Sequence, residues 1–446
     1  MLLKLTKPKL YILAYQYVNY NTRIHKQALL LNDLGFDVHV VCFGRIDNER
    51  FEDKGNYCIH RVVIKSLNDR FTSQWYKGVT YLIKIPMYIL NPRLLKRHQK
   101  NSNKKDQKKR YRAFFQRFFK VLFITEFTFK CANVIERAES NVYFAHDLYA
   151  LPIAYLLSRR HNCQLVYDSV ELSLGRNRLV PPGLVSRFMI SRTEALARKA
   201  DAVFAAWPYL KEILEKKFRV KKAVLLLNCP YFRPYKRSSC LDEKIHRDHK
   251  SLIVLYIGII TEGRGIKELI ESVKYLDNRC KMVLIGPVAR NYQEQFNHIL
   301  KKEENDSRLF ILDPIPPNKV VEYASSADVG VIPMQDKCLN QVYCLPNKLF
   351  QNIMAGLPIV ANNLKGIGSY VKENRLGCVF NDMLPKSIAD AINRLVIDKN
   401  FFQATRNRVL EKAKEMCWEN EKGKFVDAME AIYLVSQKRL MDSRRD

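Results

Sequence analysis

The stretch PMQDKCLNQVYCLPNKLFQNIMAGLP, residues 333–358, decides the fold of this chain. It follows an apolar run, Asp328–Pro333, that is typical of a buried strand in a parallel sheet. After a polar loop, a helix is predicted to begin at Leu345–Lys348 and to end at Gly356, and Ile359–Ala361 begins the next strand. This order indicates an open α/β sheet, in which a helix N-terminus beyond the carboxyl end of a strand is suited to bind an anion.

The composition indicates a folded protein with a strong preference for anionic partners. The 446 residues are long enough for two domains, 47% are hydrophobic and the formal net charge is +30. A charge of that size favours nucleic acid, anionic lipid or a phosphorylated substrate as partner. The eleven cysteines form no CxxC pair and no metal-ligand spacing, which fits a reducing cytoplasm and a chain without a metal or another bound cofactor.

Strand and helix patterns alternate along both halves of the chain. The first half starts with a strand at Leu10–Ala14, a helix at Thr22–Leu34 and a strand at Asp37–Phe43, and the same rhythm starts again at Leu252. The stretch Tyr231–Lys250 between them is polar and has no strand pattern. We therefore expect an N-terminal domain over residues 1–234, a C-terminal domain over 235–417 and a terminal helix over 418–446.

A basic and aromatic insertion near residues 92–130 interrupts the first half. Between Pro92 and Lys120, twelve lysines and arginines stand against Asp106 alone, a net charge of +11, and aromatic residues continue to Phe127. Basic side chains beside apolar faces are typical of a helix on an anionic membrane, so residues 93–127 predict peripheral membrane contact. A solvated charged insertion and a nucleic-acid surface remain alternatives. Nucleic acid is disfavoured because the aromatic spacing suits one helix face better than a base-stacking platform.

Membrane-spanning and secreted forms are not expected from the sequence. The apolar run Leu10–Ala14 is too short for a signal peptide, and Gly78–Leu90 is too short and too interrupted to cross a bilayer. We therefore expect a cytoplasmic protein associated peripherally with the cytoplasmic membrane face.

Two cations stand where a phosphate would bind. The loop Gly258–Gly265 joins the first strand and first helix of the second half, and its Arg264 can pair with two phosphate oxygens at once. Lys348 falls in the first turn of the helix described above, where a cation opposes the helix dipole unless an anion lies nearby. Arg264 and Lys348 together predict a phosphate site more strongly than either does alone.

The chain resembles the retaining, nucleotide-sugar-dependent glycosyltransferases of family 4. The similarity is carried by six segments in family order, which are HDLYALP (146–152), YDSVEL (167–172), YIGIITEGRG (256–265), ADVGVIP (327–333), LPNKLFQNIMAGLPIV (345–360) and Trp418-Glu419. The resemblance implies an α/β protein of the GT-B fold, with two Rossmann-like domains whose parallel sheets face each other across a cleft.

The resemblance also implies roles for individual residues. Arg264 and Lys348 would contact the donor diphosphate and stabilise the leaving group. His146 would face the sugar, and the three residues together would be the catalytic residues. The remaining donor-binding residues would be Gly258, Gly263, Gly265, Asn347 and Gln351. Asp147 and Glu171 would lie on the acceptor side, and the terminal helix after Trp418 would cross back onto the N-terminal domain. No bound metal is implied, and the partners would be a nucleotide sugar and a lipid-linked or cell-surface polysaccharide acceptor.

Three departures from the family pattern keep other functions open. Gln351 replaces an acid that binds the nucleotide ribose, Val170 stands where the family has histidine, and the first loop, Tyr15–Asn21, has no glycine. The first two substitutions would suit a catalytically weakened GT-B scaffold or binding subunit. A GT-B nucleotide-sugar 2-epimerase is a further alternative, although it would need no membrane contact.

Overall fold

The computed structural model describes residues 7–44, 49–63, 126–135, 142–176, 184–303 and 306–442. The predicted membrane contact through residues 93–127 lies outside the described residues except for its last two positions, and the basic and aromatic insertion near 92–130 is described only over residues 126–130. Within the described ranges, no helix has both the length and the apolar character needed to cross a membrane.

One sheet contains all the strands of the N-terminal half. Its eight strands are β1 (Lys9–Ala14), β2 (Asp37–Gly44), β3 (Phe51–Asp53), β4 (Cys58–Val63), β5 (Val142–His146), β6 (Gln164–Ser169), β7 (Ala202–Ala205) and β8 (Val224–Leu225). Their spatial order is β3-β4-β2-β1-β5-β6-β7-β8, and only the edge pair β3 and β4 is antiparallel. The central strands are buried on both faces, which is why they read as continuous apolar runs.

A second, fully parallel sheet forms in the C-terminal half. Its strands are β9 (Leu252–Ile257), β10 (Cys280–Ile285), β11 (Leu309–Leu312), β12 (Val329–Ile332), β13 (Ile359–Asn362) and β14 (Gly377–Phe380). The spatial order is β11-β10-β9-β12-β13-β14. The order reverses between β9 and β12, and ligands bind beyond the carboxyl ends of strands at such a reversal.

Helices connect the strands and cover both faces of each sheet. Those of the N-terminal half are α1 (Thr22–Asp33), α2 (126–135), α3 (Leu151–Arg160), α4 (Leu184–Glu194) and α5 (Pro208–Lys216). The C-terminal half contains α6 (Ile266–Glu271), α7 (Gln293–Lys302), α8 (Val320–Ala324), α9 (Leu339–Tyr343), α10 (Asn347–Met354), α11 (Ile367–Glu373), α12 (Pro385–Ile397), α13 (Lys399–Glu415) and α14 (Trp418–Asp442). Short 3-10 turns extend several of them, including Ala195–Lys199 after α4 and Val273–Tyr275 after α6.

The chain crosses between the two halves at two places that lie side by side. The first crossing follows β8 and the second precedes α14, and Trp418 N donates to Pro230 O at 2.8 Å. Glu421 accepts a hydrogen bond from Leu227 N at 2.9 Å. Helix α14 then packs against the N-terminal sheet, where Phe425 is fully buried beside aromatic side chains of β5 and β7. The last helix therefore belongs to the hydrophobic core of the opposite half of the chain.

The elements differ from the predicted ones mainly in two places. The polar loop expected between Pro333 and Leu345 contains a further short helix, α9. The edge strand β3 has no counterpart in the predicted pattern, because its three residues carry too little periodicity to be read.

Candidate functional site

A cleft of about 780 Å³ lies between the carboxyl-end edges of the two sheets. The N-terminal half contributes the loop after β1, the start of α1 and the ends of β5 and β6, while the C-terminal half contributes α9 and the start of α10. Four of the predicted site residues line it, namely His146, Glu171, Arg264 and Asn347. Their convergence follows from the topology, because parallel strands all end at one edge of a sheet.

The Arg264 loop is held against the end of β12 by a glycine. Gly265 has φ +66° and precedes α6, and a side-chain carbon at this position would lie only 2.0 Å from Pro333 O. Gly263 O accepts hydrogen bonds from Gln341 Nε2 at 3.0 Å and from Gln335 N at 3.2 Å. The guanidinium of Arg264 lies 3.5 Å from Met334 Sδ and forms no ion pair within the part of the chain that is described, although its charge opposes the rise in the pKa of Glu171.

Lys348 has no anionic partner among the described residues. Its Nζ lies 4.1 Å from the centre of the Tyr256 ring, and a side-chain carbon at Gly258 would come within 3.2 Å of it. Burial lowers the pKa of this ammonium well below its usual range, and the charge of Arg264 lowers that pKa further. Helix α10 adds to the positive potential, because no side chain caps its N-terminus and its first turn carries no acid.

A second cavity of about 460 Å³ continues from the first. The two share Tyr20, Thr22, Asn228 and Asn347, so together they form one groove between the halves of the chain. Gln351 lines this second cavity rather than the first, one helical turn beyond Asn347. A ligand longer than either cavity can therefore run from Gln351 past the start of α10 to His146.

His146 lies in a buried polar network at the end of β5. Its Nδ1 is 3.2 Å from Asp168 Oδ2, and Arg23 donates to both oxygens of Asp168 at 2.7 and 2.6 Å. Burial by itself would raise the pKa of Asp168, but Arg23 and His146 outweigh it and hold that pKa well below its usual value. His146 is only 1% exposed, so it meets the cleft with little of its surface.

Arg176 ties together the two residues predicted on the acceptor side. It forms ion pairs with Asp147 and, at 2.8 Å, with Glu171. Burial raises the pKa of Glu171, although Arg176 opposes that shift. Asp147 has φ +69° and does not line the cleft, so it meets the site only through Arg176.

The far end of the cleft is closed by contacts between the halves. The Asn340 amide donates to Leu172 O at 3.0 Å and to Glu171 at 3.0 Å, and its oxygen accepts from Leu172 N at 3.1 Å. Tyr209 of α5 stacks on Tyr343 of α9 with ring centres 3.8 Å apart. These contacts bring the N-terminal wall, with Glu171, to the same cleft as Arg264.

Of the two cations that the sequence predicts at the phosphate site, Arg264 lines the cleft and Lys348 does not, and most of the N-terminal wall was not predicted. Among the site residues that the sequence did not identify are Asn21, Arg23, Arg176 and Asn340. The glycine-free loop before α1 was the only signal near Asn21 and Arg23. Within the described ranges, no group of three or more His, Cys, Asp or Glu side chains is placed to hold a metal ion.

Similarity to known proteins covers both halves of the chain. Residues 240–416 match the model of the family described as "Glycosyl transferases group 1". A lipopolysaccharide 1,2-N-acetylglucosaminetransferase of Salmonella typhimurium is 24% identical over 237 residues, which cover 50% of this chain and 60% of the relative. The chain spans less than two thirds of the length of the curated relatives that it matches.

Solved structures share the architecture across nearly the whole chain. Sucrose-phosphate synthase from Thermosynechococcus elongatus has a TM-score of 0.69 at 12% identity, covering 98% of this chain and 100% of the other. Anabaena Alr3699/HepE in complex with UDP has a TM-score of 0.65 at 12% identity, covering 95% and 100%. The chain therefore has the GT-B fold, and its residues 240–416 are similar to the glycosyl transferases of group 1.

Proposed function

We propose that this protein transfers a sugar from a nucleotide-sugar donor to a lipid-linked or cell-surface polysaccharide acceptor, with retention of configuration. The observation that carries the proposal is the pair Arg264 and Lys348, two cations that form no ion pair among the described residues, with Arg264 in the loop before α6 and Lys348 in the first turn of α10. Two neighbouring cations repel each other and lose hydration on burial, so their placement is favourable once an anion binds between them. A diphosphate has the charge and the size for that position.

The shape of the groove fits a nucleotide sugar running along it. The nucleoside would occupy the second cavity, where Gln351 and Pro316 lie, and the diphosphate would lie at Arg264 and Lys348. The sugar would then reach the N-terminal wall near His146, and the acceptor would enter beside Glu171. The solved complex of Anabaena Alr3699/HepE with UDP has the same fold and supports this assignment by analogy.

The chemistry depends on stabilising the leaving group. The bond between the anomeric carbon and the diphosphate oxygen breaks, and its electron pair stays on the diphosphate, where Arg264 and Lys348 neutralise the developing charge. The acceptor oxygen bonds to the same face of the anomeric carbon, and its proton passes to the departing diphosphate oxygen. Retention follows because attack and departure take place on one face, and no protein nucleophile is required.

The membrane setting is part of the proposal. A lipid-linked acceptor lies at a membrane surface, and residues 93–127, which carry about a third of the +30 charge of the chain, would attract anionic lipid. We propose peripheral association with the cytoplasmic membrane face on that ground.

A binding subunit without catalysis is the second candidate, favoured by one observation. Gln351 is neutral, and a neutral acceptor contributes about 0.5–1.5 kcal/mol to a ribose contact, against about 1.5–3 kcal/mol for a charged one. Weak donor binding without turnover would be its signature.

The test is a panel of nucleotide sugars screened by thermal shift and then by transfer to a lipid-linked acceptor in anionic vesicles. A ligand that binds only the folded state raises its melting temperature. We expect one donor to stabilise the protein and to be consumed with acceptor present. Stabilisation without transfer would favour the binding subunit, and release of the free sugar without acceptor would favour a 2-epimerase. No stabilisation and no turnover by any donor would refute the proposal.

A further inference from the structure

Asn21, in the glycine-free loop before α1, has its amide orientation fixed by the backbone. It is the N-cap of α1, and its Oδ1 accepts hydrogen bonds from Arg23 N and Ile24 N, both at 3.1 Å. Backbone N–H groups can only donate, so the atom that faces them must be the oxygen. The amide nitrogen Nδ2 therefore points the other way, towards the end of β5.

This orientation determines which nitrogen of His146 carries the proton. Asn21 Nδ2 lies 3.3 Å from His146 Nε2. An amide nitrogen is only a donor, so His146 Nε2 must accept, and the ring proton is then on Nδ1. Nδ1 lies 3.2 Å from Asp168 Oδ2, and a negatively charged carboxylate favours a proton on the ring nitrogen that faces it.

Asp168 is itself held rigidly. In addition to the two bonds from Arg23, Gln27 Nε2 donates to its Oδ2 at 2.8 Å, and Arg23 is anchored to Leu226 O at 2.7 Å. The Asp168 side chain is fully buried. Both ring nitrogens of His146 thus face fixed protein groups, which leaves the histidine little freedom to reach a ligand.

Asn21 is more exposed than His146 and lines the same cleft. Its Nδ2 carries two hydrogens, of which His146 takes one, and the other has no partner among the described residues. We propose that Asn21 is a substrate-binding residue, whose second amide hydrogen donates to an oxygen of the bound sugar, and that His146, Asp168 and Arg23 are positioning residues that hold its amide. This inference rests on the proposed sugar transfer and assigns to Asn21 the direct contact expected of His146.

The position of Asn21 favours a sugar oxygen over the diphosphate as its partner. Arg264 and Asn347 line the C-terminal wall, whereas Asn21 caps α1 on the N-terminal wall next to His146. The Asn21 amide is a neutral donor, and it can pair with a hydroxyl or ring oxygen of an uncharged sugar without any charged group taking part.

The kinetic test uses three variants. Asn21→Ser keeps an equally good helix cap but removes the amide donor, so we expect α1 to remain capped and kcat/KM to fall about two- to tenfold. His146→Gln can still accept from Asn21 through its side-chain oxygen, so it should retain more activity than His146→Ala. Wild-type kinetics in Asn21→Ser, or equal losses in the two His146 variants, would overturn the inference.

A spectroscopic test decides the positioning part without any substrate. In 15N-histidine-labelled protein, with the His146 signal assigned by its absence in His146→Gln, long-range proton–nitrogen spectra should show the ring proton on Nδ1 and none on Nε2. A ring proton on Nε2 would overturn the proposed positioning network, because the Nε2–H group and the Asn21 amide would then be two donors facing each other. If the wild-type protein processes no nucleotide sugar, both the proposed function and the proposed sugar contact of Asn21 fail. The tautomer of His146 still decides whether His146 and Asp168 hold the Asn21 amide as proposed.

Discussion

Replacing Lys348 with methionine is expected to stabilise the ligand-free protein and to weaken its affinity for a nucleoside diphosphate. The Nζ of Lys348 has the Tyr256 ring on one side and Gly258 on another, and no acid pairs with it in the described ranges. Methionine fills most of the same volume, so little packing is lost. The substitution removes only the charge that Arg264 repels and that burial penalises.

The size of the affinity loss follows from the bond that is removed. A hydrogen bond between charged groups contributes about 1.5–3 kcal/mol, so its loss corresponds to a rise in Kd of about 10- to 150-fold.

The gain in stability of the methionine variant depends on pH with a definite sign. Because the pKa of Lys348 is lowered in the folded state, the unfolded chain binds more protons above that folded pKa, so wild-type stability rises with pH. The advantage of the methionine variant should therefore be largest at low pH and should shrink towards the usual pKa of lysine.

The assay pairs calorimetric titration of UDP and GDP with urea unfolding at about pH 6 and about pH 9, on either side of neutrality. Lys337→Met is the matched control, since Lys337 is an exposed lysine on the same stretch that pairs with Glu262 at 3.1 Å. We expect the control to leave both quantities unchanged. A less stable Lys348→Met protein with unchanged nucleotide affinity would refute the assignment of Lys348 to the phosphate site.

Three further outcomes are expected from the same structure. Asp168→Asn leaves Arg23 buried without a charge partner and should lower the free energy of unfolding by about 3–5 kcal/mol. The double variant Arg23→Met with Asp168→Leu should restore most of that loss. A double variant as unstable as Asp168→Asn in urea unfolding would contradict this expectation. Gln351→Glu should tighten donor binding by about 1 kcal/mol, or about fivefold, in calorimetric titration, and unchanged affinity would argue against a ribose contact at that position. Burial lowers the pKa of Lys26 to about 7. The free energy of unfolding of the wild type relative to Lys26→Met should therefore rise from about pH 7 to about pH 10. Parallel curves of unfolding free energy against pH for the two proteins would refute that pKa shift.

The C-terminal half could be predicted in some detail because its signals are local. The apolar run before Pro333, the proline and asparagine that begin α10 and the glycine at 356 define a strand–helix–strand unit within about thirty residues, a length typical of such units. Lys348 stands out in that unit because a cation in the first turn of a helix opposes the helix dipole, and Arg264 stands out in the loop 258–265 because it can pair with two phosphate oxygens at once. Arg264 lines the cleft and Lys348 directly follows the lining residue Asn347, so the phosphate site at these two cations stays a prediction.

The N-terminal wall could not be predicted because its contacts join distant segments. Arg23 and Asp168 are 145 positions apart, and Asn340 reaches Leu172 across 168 positions. A lone arginine in the first turn of a helix reads as a solvated residue, and nothing in its neighbours indicates that Arg23 is buried. The sequence identified His146 through its motif, but only the packing of Asn21 and Asp168 around it shows how little of the ring faces the cleft.

Transfer of a sugar with retention is the central claim, and one measurement tests it directly. The wild-type protein and Arg264→Ala would be incubated with each nucleotide sugar of the panel and a lipid-linked acceptor in anionic vesicles, and the product's anomeric configuration would be determined by NMR. We predict that one donor gives a product with the donor's own configuration and that Arg264→Ala gives none. An inverted product, or an Arg264→Ala protein as active as the wild type, would contradict this account.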